Sequence, residues 1–195
     1  MTTKTDTFNY IESPLSTLWT TVLSVGLKSA VVGANATSGS VQVVSMYKIA
    51  DYDFLDDQSA RIVIGTIVAF DWAGVVVRAS TAGGGSFYLC YYASGDARVI
   101  IEYWTGGAFS ATLETITGAP GTLANGDELR LDVTGTSLRA YKNGAAIGTG
   151  VTHSSLTSGQ PGMGYLAGNA NTTLISSFSG VDSAGGDTLN AQCAL

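Results

Sequence analysis

Two carboxylates stand on alternate positions of one extended segment, in Glu128-x-Arg130-x-Asp132. Alternate residues of a strand share a face, so both acids face one way, as the two carboxyl groups of glycoside hydrolysis must. The arginine between them opposes that use. A guanidinium holds neighbouring carboxylates ionised, whereas one member of a hydrolytic pair has to donate a proton. The same spacing suits an outward face on which Arg130, Arg139, Glu128 and Asp132 pair across strands beside Tyr141, and this is the reading adopted.

Three further groups have chemical potential. His153 is the sole histidine, and no G-x-S-x-G elbow accompanies it, so a Ser-His-Asp site would have to be assembled from distant positions. Asp51, Asp53, Asp56 and Asp57 form the densest acidic stretch. They could contribute to the six to eight oxygens of a calcium shell, or satisfy turn amides as aspartates commonly do. Sugar recognition on a sheet needs flat rings for stacking and planar polar groups for hydroxyls. Arg78, Tyr88, Tyr92, Tyr103, Trp104 and Tyr141 are the candidates. In SFYLCYY, the alternation puts Tyr88, Cys90 and Tyr92 on one face and Phe87, Leu89 and Tyr91 on the other. The face holding only tyrosines and a thiol is expected to be the exposed one.

The elements that must position these groups are strands. Glu128 to Val133, Ser137 to Lys142 and Ala145 to Val151 are separated by Thr134-Gly135-Thr136 and by Asn143-Gly144. Asn-Gly between two strand-forming runs marks a type I′ hairpin, whose two central residues both need positive φ. Leu129, Leu131 and Val133 share the inward face of the first strand. Similar runs recur about every 8 to 12 residues with turn chemistry between them, as in a β-sandwich or jelly roll. No helical periodicity is sustained. One sandwich domain is expected over residues 1–181, and residues 182–195 form a Gly-containing linker and tail.

Composition narrows the function classes. The chain has 195 residues with a net charge of -6 and scattered basic residues, which excludes a nucleic-acid footprint. No apolar run approaches the roughly 20 residues of a membrane span, and the N-terminus MTTKTDTFNY has no signal-peptide core. Cys90 and Cys193 are the only cysteines, without metal-ligand spacing. Cys90 reads as a small core residue. Charged residues make up 12%, about half the ordinary share: the surface is solvated by hydroxyls and backbone, or part of it is covered by neighbouring subunits, and a mixture of the two is expected. Homo-oligomerisation is expected, with the tail residues Thr188, Leu189, Cys193 and Leu195 available for assembly.

Taken in order, Asp6-x-Phe8-Asn9, Trp19-Thr20, Asp57-Gln58, Val76-Val77-Arg78-Ala79, Tyr88, Tyr91-Tyr92, Gly126-Asp127-x-Leu129-Arg130-Leu131-x-Val133-x-Gly135, Leu138-Arg139-Ala140-Tyr141-x-Asn143-Gly144 and Gly159-x-Pro161-Gly162 resemble a concanavalin A-like, LamG-type jelly roll. The form resembled is the one found in bacteriophage and bacterial surface proteins. The resemblance spans roughly residues 6 to 181 and implies an all-β, two-sheet antiparallel sandwich. It also implies a calcium site at the rim of the sandwich, for which the acidic stretch is the candidate. Hydrolases of this fold carry alternating acids as E-x-D-x-x-E or E-x-D-x-E, and Arg130 stands where the middle acid would be. The expected function is a non-enzymatic component of a virion surface, a decoration or fibre protein partnered by capsid proteins and by itself. The alternative is a carbohydrate-binding module or lectin binding surface glycans, and a glycan hydrolase comes third.

Overall fold

The computed structural model describes residues 3–6, 19–25, 30–32, 35–37, 43–49, 54–67, 71–167 and 174–182. Of the sequence expectations, those on Phe8, Asp51, Asp53, Thr188, Leu189, Cys193 and Leu195 lie outside the described residues. The described chain is almost entirely extended. Its strands are β1 (Thr3–Asp6), β2 (Trp19–Val25), β3 (Ala30–Val32), β4 (Asn35–Thr37), β5 (Val43–Ile49), β6 (Gln58–Thr66), β7 (Trp72–Ser80), β8 (Ser86–Ala93), β9 (Arg98–Thr105), β10 (Ala108–Ile116), β11 (Glu128–Thr134), β12 (Ser137–Lys142), β13 (Ala145–Thr152), β14 (Gln160–Ala167) and β15 (Leu174–Asp182).

Two antiparallel sheets are built from them. The first runs β13-β12-β11-β6-β15-β4-β3 with β1 also on β15, and the second runs β10-β9-β8-β7-β14-β5-β2. The expected meander is present as β11, β12 and β13 in sequential register. Its Asn143-Gly144 turn has φ of 50° and 79°, as type I′ geometry requires. Asn143 also reaches back, accepting the Glu128 N–H and donating to Asp127. The inward face of β11, Leu129, Leu131 and Val133, is wholly buried.

The inter-sheet core joins Ile62, Ile64, Leu129, Leu131, Leu138 and Phe178 of the first sheet to Val75, Val77, Tyr88, Cys90, Ile101 and Met163 of the second. Burial of one such side chain contributes about 1.5–3 kcal/mol, and packing two inward faces in this way is what holds a sandwich together. Trp19 meets Phe178 edge-on at 4.8 Å. Burial pushes the Cys90 thiol pKa up, with Glu114 adding to the effect, so this cysteine is a small core residue, and the face it shares with Tyr88 and Tyr92 is not the exposed one.

Two sequence expectations are corrected here. Tyr88 and Tyr92 face the core instead of solvent, 0% and 5% exposed. Their cross-strand partners explain why: Val77 and Tyr103 flank Tyr88, and Ala73 and Val99 flank Tyr92. A row of apolar neighbours decides which side of a strand is inside, and that row is invisible from the strand alone. Gly118–Gly121, between β10 and β11, forms one helical turn. Asp182, placed in the tail from sequence, belongs to β15, is 2% exposed and pairs in register with Gln58.

Candidate functional site

The charged spacing of β11 builds scaffold. Arg130 is 7% exposed, lies 3.9 Å above the Tyr141 ring and approaches Asp132 at 3.1 Å. Glu128 pairs at 3.2 Å with Arg61 of β6, a partner not anticipated from sequence. Arg139 turns to the carbonyl of Thr149 instead of a carboxylate. Tyr141 is thereby occupied as the ring under a buried guanidinium, an arrangement worth about 2 kcal/mol when desolvated, and its expected place in a sugar site is not what the geometry provides.

Tyr88, Tyr103, His153 and Arg78 converge at one end of the sandwich. The Tyr88 hydroxyl accepts the Leu156 N–H at 2.9 Å. It lies 3.0 Å from Nδ1 and 3.3 Å from the carbonyl oxygen of His153, either of which takes its proton. Burial raises the Tyr88 pKa, and the Leu156 hydrogen bond and nearby Arg78 only partly offset it. The Tyr103 ring leans on His153 at 4.7 Å. His153 is thus a packing partner for two tyrosines.

Arg78 sits at a bulge of β7 with φ of 50°, a conformation non-glycine residues seldom adopt. Gln58, fully buried, holds it there: its Oε1 accepts the Arg78 N–H, while its Nε2 donates to the carbonyls of Leu55 and Gly159. The guanidinium donates to the carbonyls of Asp56 and Leu156 and stands 3.7 Å from Asp57 Oδ1. That oxygen also accepts the Gly135 N–H. A pocket of 320 Å³ opens over these groups. The sequence expectation of calcium at the acidic stretch meets a guanidinium beside Asp57, and a cation this close competes with a dication for the carboxylate. Among the described residues no three His, Cys, Asp or Glu side chains gather as a metal site.

The outward face of the second sheet holds a different assembly. Trp72, Gly74 and Val76 of β7, Leu89 and Tyr91 of β8, and Ile100 and Glu102 of β9 share that face by register, with Phe87 opposite Trp104. Val76, Phe87 and Leu89 are buried there under Val22 of β2, and Trp72, Tyr91 and Trp104 pack partly exposed around them. The rings form two groups, bridged by Glu102, which accepts from Tyr91 and from Trp104. Trp72 is 5.0 Å from Tyr91, Phe87 stacks on Trp104 at 5.7 Å, and Trp104 meets Phe109 edge-on at 6.0 Å. Phe109 is 53% exposed.

Glu102 lies within this patch, 8% exposed. Its Oε1 accepts the Tyr91 hydroxyl at 2.9 Å and its Oε2 accepts the Trp104 indole N–H at 2.8 Å. Burial, followed by the charge of Glu102, pushes the Tyr91 pKa well up, so the phenol remains a donor. Each carboxylate oxygen keeps a lone pair free for another donor. Among the described residues, the register places no second carboxylate on this face: β10 contributes Phe109, Thr112 and Thr115 there and turns Glu114 away, with its carboxylate bound to the Thr149 and Gly150 N–H groups of β13.

Of the six expected sugar-site residues, Trp104 alone joins this patch. Arg78, Tyr88 and Tyr103 meet at the loop end, Tyr92 is in the core, and Tyr141 is on the first sheet. Trp72, Tyr91, Glu102 and Phe109 were missed. A signal existed in RVIIEYW, where a lone carboxylate two residues before a tryptophan interrupts an otherwise apolar strand.

The chain matches no protein-family model and no curated protein sequence. Solved structures resemble it in fold. A carbohydrate-binding module, CBM66 from Bacillus subtilis, superimposes with a TM-score of 0.59 at 14% identity, covering 83% of this chain and 95% of its own. The exoplasmic/lumenal domain of VIP36, in a calcium- and Man2-bound form, gives 0.62 at 9% identity, covering 96% and 90%. The Crh5 transglycosylase in its apo form gives 0.61 at 15% identity, covering 93% and 84%. The fold is thus a concanavalin A-like jelly-roll sandwich, as the sequence resemblance implied.

Proposed function

We propose that the chain is a glycan-binding module without catalytic turnover, and that it holds a saccharide against Trp72, Tyr91, Trp104 and Phe109. The observation that carries this reading is Glu102, buried among the rings with each oxygen already oriented by one neutral donor. Rings supply flat apolar surface for the C–H face of a sugar, and an oriented carboxylate accepts its hydroxyls. Hydrolysis needs two carboxyl groups about the scissile bond, at about 5–9.5 Å from each other, and among the described residues this face offers Glu102 by itself. The likeness to a carbohydrate-binding module and to a mannose-bound lumenal domain supports the lectin-like alternative over the virion-surface reading, which no feature of the site favours.

Titration of neutral oligosaccharides against the intact protein tests the proposal. Tryptophan fluorescence should shift on binding. Trp104→Ala should weaken affinity about tenfold or more, which is about 1.4 kcal/mol, and Glu102→Gln should weaken it with the fold intact. A chelator should leave affinity unchanged, since Arg78 occupies the position beside Asp57. Absence of binding across a broad glycan array, or cleavage of a bound glycan that Glu102→Gln abolishes, would refute it.

A further inference from the structure

The loop-end pocket is separate from the aromatic patch, on the other side of the second sheet, and its chemistry is different. We infer that it is a second binding site, taking a single terminal ring of a neutral saccharide. Choosing a saccharide rests on the glycan-binding reading above; the pocket itself does not.

The pocket has a built floor. Arg78 has a side chain only 3% exposed, held at positive φ by fully buried Gln58. Strained backbone of this kind is retained where the surrounding structure over-determines it, often at ligand sites. Nε and Nη1 of Arg78 each donate to one carbonyl, of Asp56 and Leu156. Nη2 makes no hydrogen bond among the described residues, its contact with Asp57 being an ion pair at 3.7 Å. A guanidinium has five donors in a fixed fork, so donors remain for a guest. Across the pocket, Asp57 Oδ1 is taken by the Gly135 N–H, which leaves Oδ2 as an acceptor. Thr136, Ser154 and Thr157 line the walls, and among the described residues no hydrogen bond engages their hydroxyls. Leu156 supplies the apolar surface.

Charge and size choose the guest. The Arg78 guanidinium stands beside the Asp57 carboxylate, and that carboxylate opposes anions such as uronates and phosphates. A second cation is opposed by Arg78. A neutral polyol satisfies both sides: one hydroxyl accepts from Nη2 while it or its neighbour donates to Asp57. At 320 Å³ the pocket stands at the small end of the roughly 300–1,000 Å³ typical of ligand sites, which suits one ring and not a chain. The aromatic patch would then grip the interior of a glycan, and this pocket an end.

Amide chemical-shift mapping on the full-length labelled protein tests the inference, using methyl glucoside, methyl galactoside, methyl mannoside and methyl glucuronide as probes. At least one neutral glycoside should give saturable shifts at Gly135, Thr136, Ser154 and Thr157. Ser154→Tyr, which fills the pocket from an exposed wall, should weaken these about tenfold, with Thr157→Trp as a second blocking variant should the first disturb the fold. Trp104→Ala should leave them unchanged. Shifts confined to the Trp72 and Trp104 indoles would overturn this inference while leaving the patch standing. Shifts confined to the pocket would support it and count against the patch. No shift at the pocket with any neutral glycoside, or tighter binding of the glucuronide, overturns it.

Discussion

Single side chains here join parts of the chain that lie far apart in sequence. The Tyr88 hydroxyl anchors the loop after β13 through Leu156 and His153, residues 68 and 65 positions away. Removing that oxygen leaves the Leu156 N–H without its acceptor, and a buried group left unpaired costs about 1–3 kcal/mol. Tyr88→Phe should therefore lower stability by that order and speed amide exchange at Leu156 while leaving exchange within β11 slow. Equal exchange at Leu156 in both proteins would show that the phenol does not hold the loop. Tyr88 was legible as an aromatic of β8 but not as an anchor. Alternation divides a strand into two faces; it does not say which face meets another sheet, and Tyr88 and Tyr92 were assigned the wrong one.

Among the elements, the β12–β13 hairpin was the most legible, and it carries two predictions. Gly144 has φ of 79° with open space where a Cβ would stand, so the cost of a side chain there is conformational. Gly144→Val should destabilise the fold by about 1–3 kcal/mol, seen as a lower urea midpoint with unchanged slope. The second concerns acid. Burial acts to raise the Asp127 pKa, but hydrogen bonds from the Asn143 side chain, the Ala124 N–H and Lys142 prevail and hold it below its ordinary 3.8. A carboxylate with a depressed folded pKa adds stability above its unfolded pKa and loses it as pH falls through the folded value. Asp127 should thus tie the hairpin down at neutral pH and release it below about pH 4. Asp127→Asn should flatten the stability profile in that acid window; an unchanged acid limb would show that the carboxylate is not coupled to folding.

At the scale of the whole molecule, the two sheets depend on one shared core. Phe178 of β15 is 1% exposed and contacts Trp19 of β2 across the sandwich. Phe178→Ala should cost about 3–5 kcal/mol through lost burial and the cavity left behind. Because the core is common to both sheets, thermal unfolding should remain a single transition; two separated transitions would mean that the sheets are stabilised independently.

The sequence by itself determined what depends on near neighbours. Strand alternation, the meander from Glu128 to Val151, the Asn143-Gly144 turn and the all-β class follow from local patterning, because a turn sets register and register fixes which residues share a face. Only the tertiary structure decided which faces are buried and which groups meet. Glu102 finds Tyr91 across a strand pair. Arg78, at the bulge of β7 with its N–H bonded to Gln58, reaches Leu156, 78 residues away. Strand pairing and sheet packing are non-local, so one strand's sequence cannot reveal what lies beside or above it. Both candidate binding sites, the aromatic patch and the Arg78 pocket, arise from such meetings.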